Sequence, residues 1–353
     1  MNPTESTMTG QGTTHPNPSA DGTPAPQARQ HRFSLLPVIE RYALVLLLVL
    51  LVAVFAVTAP DTFTSANNIR ALLQSQSVNA VIAFAVIVPL ITGRFDLSVG
   101  TTMTLSSMVA AGLMSRDGQN LAVAVLGAVA IGLLAGAVNG FLVARLGVNS
   151  LVVTLATATA MSGIIDLYGH GQIISDRLPT ALTSLGVTLV GGVPVLFAVM
   201  IVAAVLVWFT LTRSPYGRRL TAIGSSEASA VLVGIPVRKV VLVSFLASGV
   251  LGAVAGLLQI AAQGSANPTA GGITTMLPAL AGAFLGATVF APGRYNVPGT
   301  LVGLFVVAVL VNGMALLGAN PSYQPIVNGA AVLVAVSLST ALRRRRLGDA
   351  SSI

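Results

Sequence analysis

Few side chains in this 353-residue chain can carry covalent or redox chemistry. Cysteine is absent, which excludes disulfides, thiolate metal sites and thiol nucleophiles. The three histidines, His15, His31 and His170, stand too far apart in sequence for a local cluster. The single lysine, Lys239, follows Arg238, so the Gly–Lys pair of a phosphate-binding loop GxxxxGK[ST] does not occur. If ATP drives this protein, a separate chain must hydrolyse it. No paired acid–base or metal-ligand set falls within the apolar segments, so an intramembrane enzyme is the least supported function class.

What the apolar segments do carry is neutral polarity. Gln74, Gln76, Asn79, Asn139, Thr154, Thr157, Thr159, Gln259, Gln263, Asn312 and Asn328 all fall inside them. Amides and hydroxyls donate and accept hydrogen bonds. A path lined by Gln74, Asn79, Asn139, Thr154, Thr157, Gln259 and Asn312 suits an uncharged, hydroxyl-rich solute such as a sugar. The same groups serve equally well as bonds between neighbouring helices. Asp96 and Asp166 are the only acids near these segments, and both sit at segment ends. An ion-coupled secondary carrier for a neutral polar solute, which typically needs an acid at the midplane, is therefore the alternative reading.

The elements that would position these groups follow from composition. Hydrophobic residues make up 54% and charged residues 8%, with a mean hydropathy of +0.87. Soluble domains carry about a quarter charged residues, so this is an all-α integral membrane protein. Residues 1–33 are rich in Thr, Gly, Pro, Ser, Gln and Asn and read as a disordered tail. The first apolar run, Ala43–Ala59, follows Arg41 in the manner of a signal peptide. It is too long for one and is followed by Pro60, so it reads as a retained helix. Further segments lie at 68–92, 97–115, 121–145, 150–168, 194–212, 238–263, 273–291, 298–318 and 323–342, giving about ten spans. With the N-terminus inside, 15 of the 18 basic residues fall on the inner side and only Arg70, Arg116 and Arg177 on the outer. The positive-inside rule then sets both termini inside. It also accounts for the net charge of +8 without nucleic acid. The Arg343–Arg346 run marks the last membrane exit and meets anionic lipid headgroups.

Small residues four apart form stripes at Gly132, Gly136 and Gly140, at Ser248, Gly252 and Gly256, and at Gly282/Gly286 and Gly299/Gly303. Such stripes let helix backbones approach closely, within one chain or across a dimer. Pro89, Pro278 and Pro325 lie inside spans and can kink or break them. The membrane-embedded body is residues 34–347, followed by a short tail, 348–353. Its longest inner loop, 213–239, contains a helix signal: Gly224 or Ser225 as N-cap, Glu227 in the first turn, Ala228–Leu232 as body, and Gly234 with Pro236 as terminator. Flanked by Arg218, Arg219, Arg238 and Lys239, it is either a plain interfacial helix or a docking piece for a cytoplasmic partner. The outer stretch Gly169–Gly192, with His170, Gln172, Asp176 and Arg177, is either an outer gate or partner contact or a solvated connector.

Four strings resemble those of bacterial ribose-type ABC transporter permeases. Ile91–Met114 (ITGRFDLSVGTTMTLSSMVAAGLM) is similar to the family's GG-x-DLSVG segment. Val138–Ile164 looks like its NG-x-LV stretch, and Tyr216–Val240 like its loop GR-x-x-x-AIG-x-N-x-x-AA-x-x-x-GI. Asn312–Val336 matches its NG…Q-x-x-x-x-G ending. The strings keep the family order. Departures are Gly93-Arg94 for GG, Ser226 for the loop Asn, and Ala291–Gly299 (APGRYNVPG) for a glycine-rich turn. Gly93-Arg94-Phe95-Asp96 and Gly293-Arg294-Tyr295-Asn296 also echo one another.

The resemblance implies the membrane subunit of a binding-protein-dependent importer for a monosaccharide (ribose-like) or related small polar solute in the bacterial cytoplasmic membrane, working by alternating access. It implies a second permease subunit, cytoplasmic ATPase subunits that hold ATP and Mg, and an extracytoplasmic solute-binding protein. The ATPase-coupling role maps onto Gly217, Arg218, Arg219, Ala222, Gly224, Glu227, Ala228, Gly234 and Ile235. Asp96, Ser98 and Gly100 match the DLSVG signature, with Asp96 expected to cap the helix that follows.

Overall fold

A bilayer offers backbone groups no water, so each charge-free apolar run must bond its own N–H and C=O groups as a helix. The computed structural model describes residues 36–350, with side chains at 42–272 and 275–338. It begins with α1 (Leu36–Thr58), the single turn α2 (Pro60–Phe63), α3 (Ala66–Leu90), α4 (Val99–Ser115), α5 (Leu121–Ala144) and α6 (Ser150–Gly169). Then come α7 (Thr180–Val187), a hairpin of β1 (Leu189–Val190) and β2 (Val193–Pro194), and α8 (Val195–Thr212). The surface helices α9 (Pro215–Ser225) and α10 (Glu227–Leu232) precede α11 (Val237–Gln263), α12 (Ile273–Gly286), α13 (Val297–Leu316) and α14 (Tyr323–Ala350). Each of the ten apolar segments carries a helix. Six of them, α3, α5, α6, α8, α11 and α13, are long and apolar enough to cross a membrane. α4 is 17 residues long and α12 only 14, ending at Gly286 rather than near 291. The tail 1–33 and the terminal residues 351–353 lie outside the described residues, as do the side chains of Arg343–Arg346.

The bundle is built around α3. Every residue from Ala80 to Ile87 is fully buried, with α11, α8, α12 and α13 packed on it. A helix enclosed on all sides has no polar face, which is why its sequence reads as one continuous apolar run. α6 and α8 are the opposite case, with only 22% of their apolar windows covered by protein.

The small-residue stripes serve contacts inside the chain. α5 lies antiparallel to α11. A Cβ on Gly132 would collide with the Gly249 carbonyl, one on Gly136 with the Phe245 carbonyl, and one on Gly140 with the Leu242 side chain. Gly282 and Gly286 of α12 meet Gly299, Gly303 and Leu304 of α13 in the same way. Pro325 sits in the first turn of α14 and Pro89 in the last turn of α3, so only Pro278 interrupts a helix middle.

The bundle has two chemically distinct ends. At one, the Phe95 N–H donates to Ser150 Oγ (3.1 Å), and Arg94 pairs with Glu227. The two echoing turns also meet there over Phe284, which lies 6.2 Å from Phe95 and 5.8 Å from Tyr295 between ring centres. Arg94, Arg145, Arg213, Arg218, Arg219, Arg238, Lys239 and Arg294 all belong to this end. At the other, Arg70 Nε donates to the Gly192 carbonyl (3.3 Å) and Arg116 Nη1 to the Tyr168 carbonyl (2.9 Å). The Gly169–Gly192 stretch is more structured than a connector. It contains α7, whose Leu182 and Gly186 are buried, with Gly186 close against the Ala261 carbonyl. Ile174 pairs with Ala266 in an isolated antiparallel bridge.

Candidate functional site

The basic end carries the surface helices. Ser214 Oγ accepts the Gly217 N–H (3.1 Å) and Pro215 fills the first helical position, so α9 starts where sequence alone gave only a loop. α9 holds Gly217, Arg218, Arg219, Ala222 and Gly224. Leu220 and Ile223 form its buried face and both arginines are exposed. Tyr216 donates its hydroxyl to the Val240 carbonyl (3.3 Å), and burial pushes its phenol well above the ordinary range.

Gly224 and Ser225 are not N-caps. They form the last turn of α9, where Ser225 Oγ donates to the Thr221 carbonyl (2.9 Å). Gly224 lies so close to the Ile91 carbonyl that a Cβ has no room. The cap of α10 is Ser226, whose Oγ accepts the Ser229 N–H at 3.2 Å. Glu227 and Ala228 form the first turn, where the acid opposes the helix dipole. The helix closes with Ile235 N–H to the Ala230 carbonyl and Gly234 N–H to the Val231 carbonyl, both 3.0 Å, with Gly234 at φ +78°. Leu232, 87% exposed, makes an apolar tip.

Behind these helices lies a buried polar chain. Asp96 Oδ1 accepts the Ser98 N–H (3.0 Å) and the Ser98 hydroxyl (2.6 Å), and Oδ2 accepts the Ser248 hydroxyl (2.7 Å). Asn139 Nδ2 donates to Ser98 Oγ (2.8 Å), and Thr157 Oγ1 donates to Asn139 Oδ1 (2.8 Å). Asp96 is therefore not the N-cap of α4. Ser98 holds that position, and Asp96, two residues earlier, takes one backbone donor and two hydroxyls. Burial raises its carboxyl above the usual range, and the bonds from Ser98 and Ser248 pull it back. Gly100 packs against the Gly272 backbone. In the echoing turn the related residue, Asn296, is itself the N-cap of α13, accepting the Gly299 N–H at 2.7 Å.

Two adjoining cavities open toward the other end. One, of about 430 Å³, is lined by Ser75, Gln76, Asn79, Pro278, Asn312, Gln324 and Asn328 among others. The second, of about 510 Å³, is lined by Gln74, Ser75, Asn79, Gln259, Gln263, Asn267 and Thr275 among others. Ala71, Ser75 and Asn79 border both, and among the described residues no lining side chain is charged. Gln74, Asn79, Gln259 and Asn312 of the expected path come together here. Asn139, Thr154 and Thr157 line neither cavity. The first and last belong to the Asp96 chain, and Thr154 Oγ1 donates to the Ser150 carbonyl (2.8 Å). Ser75, Asn267 and Thr275 escaped the sequence reading, since nothing in their neighbourhood marks a face. Gln324 had a signal, as the glutamine of the Q-x-x-x-x-G ending.

Enclosing helices around an uncharged amide-lined cavity, with amphipathic helices at the opposite end, are the architecture of a membrane transport subunit. Residues 68–336 match the family model described as branched-chain amino acid transport system / permease component, and the chain belongs to that family. Among its relatives is the ribose import permease of Escherichia coli (strain K12), 34% identical over 84% of this chain and 92% of the relative. The ribose import permease of Bacillus subtilis (strain 168) is 35% identical over 88% and 96%. The D-allose transport system permease of Escherichia coli (strain K12) is 31% identical over 85% and 91%.

Proposed function

We propose that this chain is the membrane subunit of an ATP-binding-cassette importer that moves a monosaccharide, ribose-like, across a bacterial cytoplasmic membrane by alternating access. The observation that carries the reading is the pair of amide-lined cavities, whose described lining residues include no charge. A zwitterionic amino acid entering such a space would lose the hydration of both charges and find no opposite charge in return. A sugar needs only donors and acceptors matched to hydroxyls, which amides supply. The lining thus favours a sugar over the solute in the family description, and the ribose and allose relatives support the same choice.

The sorting of basic residues between the two ends supports ten spans with both termini cytoplasmic and α9–α10 on the inner surface. In this reading Gly217, Arg218, Arg219, Ala222, Gly224, Glu227, Ala228, Gly234 and Ile235 form the element on which a cytoplasmic ATPase docks. ATP and Mg are held by that partner and none by this chain. A second permease subunit completes the pathway, and a secreted solute-binding protein delivers sugar to the cavity end.

The test is uptake into proteoliposomes holding this chain together with its partner ATPase and solute-binding protein. ATP-dependent accumulation of D-ribose, D-allose or D-xylose, insensitive to ionophores, is the expected result. Uptake of leucine in place of any sugar, or ion-driven uptake without the ATPase, overturns the proposal.

A further inference from the structure

We infer that the α3–α4 turn, residues 91–98, is the receiver through which α9–α10 moves the pathway helices, with Glu227–Arg94 as its latch and Asp96 as the positioning residue. The inference rests on the reading of α9–α10 as an ATPase-docking element. Two polar or close-packed contacts join α9–α10 to this turn. Gly224 abuts the Ile91 carbonyl, and Arg94 Nη2 donates to both Glu227 oxygens, at 3.1 and 3.0 Å. It is the one ion pair among the described residues. Neither partner is prescribed by the family strings: Arg94 departs from the second glycine of GG, and Glu227 falls on an unspecified loop position.

The turn is stiff enough to transmit a displacement. Thr92 Oγ1 donates to the Pro89 carbonyl (2.7 Å), the Arg94 N–H donates to the same carbonyl (3.3 Å), and Arg94 Nη1 donates to the Thr92 carbonyl (3.3 Å). Two residues on, Asp96 is bonded to Ser248 of α11 and, through Ser98 and Asn139, to α5 and Thr157 of α6. No buried side-chain nitrogen or oxygen among the described residues lacks a partner, so displacing one member of the network breaks a bond at its neighbour. The two helices it holds most directly run on to the cavities. Asn79 lies twelve residues from Ile91 along α3, about 18 Å, and Gln259 lies eleven from Ser248 along α11, about 16 Å. A push on α10 therefore reaches both walls of the second cavity through one turn.

The experiment uses the complete transporter in proteoliposomes with whichever of D-ribose, D-allose or D-xylose the wild type imports, and reads ATP hydrolysed per sugar imported. R94E and E227R each oppose like charges across the pair. Each is expected to raise the ratio about fivefold, and the double reversal to bring it back within about twofold of wild type. E227Q preserves shape and keeps the test open if a reversal fails to assemble. It is expected to raise the ratio about twofold and to remove its dependence on salt, because screening acts on the charge pair. S248A leaves α9–α10 untouched and is expected to raise the ratio by a similar factor through Asp96. An unchanged, salt-dependent ratio in E227Q, or a double reversal no better than the singles, overturns the latch. An unchanged ratio in S248A overturns the role of Asp96. Absence of sugar uptake by the wild type is a separate result that overturns the proposed function itself.

Discussion

Asn68 and Asn312 exchange both amide hydrogen bonds: Asn68 Nδ2 donates to Asn312 Oδ1 at 3.1 Å, and Asn312 Nδ2 donates to Asn68 Oδ1 at 2.9 Å. The pair ties the start of α3 to the end of α13 beside the smaller cavity, and Asn68 Nδ2 also reaches the Phe63 carbonyl (2.9 Å). The Asn312 amide is thus committed to a neighbouring helix although its residue borders the cavity. N312A removes the donor to Asn68 Oδ1, while Asn68 Nδ2 keeps the Phe63 carbonyl, and should lower stability by about 0.5–1.5 kcal/mol. Removing both partners should cost less than the sum of the single losses. Unfolding of the four proteins in detergent measures this cycle, and strict additivity would contradict the pairing.

The glycine stripe of α5 separates two kinds of small residue. G136L must push against the Phe245 backbone, which cannot retreat without opening the α5–α11 seam. Overpacking of this kind should destabilise by about 1–3 kcal/mol or prevent folding. Gly163 of α6 has open space where a Cβ would go, so G163L should leave the unfolding midpoint of the monomer in place. Parallel measurement of folded yield and unfolding midpoint checks both.

These contrasts show what could be read from residues alone. Helix existence was legible because run length and lack of charge leave no other structure in lipid. The stripes were legible because four-residue spacing stacks positions on one face. The partners of polar groups were not. Asp96 meets Ser248 across 152 residues and Asn68 meets Asn312 across 244. A helix such as α3, enclosed through its middle, gives no period from which a facing direction could be taken. The division between α9 and α10 was hidden for a local reason. Gly224, Ser225 and Ser226 all suit a cap, and the choice among them is made by the Ile91 carbonyl, which admits only glycine at 224.

The Asp96 chain should weaken in a fixed order. D96A leaves two buried hydroxyls, of Ser98 and Ser248, without their acceptor and should cost about 1–3 kcal/mol. T157V should cost less, about 0.5–1 kcal/mol. The single Thr157 hydroxyl proton is also within reach of the Val153 and Thr154 carbonyls of its own helix, so its bond to Asn139 competes with two local acceptors. Chemical denaturation of the single variants gives the order, and a T157V loss equal to that of D96A would break the chain into unrelated bonds.

Asn79, like Ser75, is a polar residue through which the two cavities can be weighed against each other. It borders both, while Gln324 borders only the first and Gln259 only the second. Its hydrogen bond is local, Nδ2 to Gln76 Oε1 at 3.3 Å one turn back on α3, so N79L should leave the unfolding midpoint nearly unchanged. If both cavities belong to one solute route, N79L should cut sugar uptake about tenfold at equal expression, because an apolar wall leaves sugar hydroxyls unpaired. Q259L and Q324L should each give a smaller loss. Full uptake by Q324L together with loss in Q259L would confine the route to the α3–α11 side, the side that Asp96 and Ser248 hold from the opposite end of the bundle. The reverse pattern would place it against α13 and α14, where the Asn68–Asn312 tie would have to open for sugar to enter.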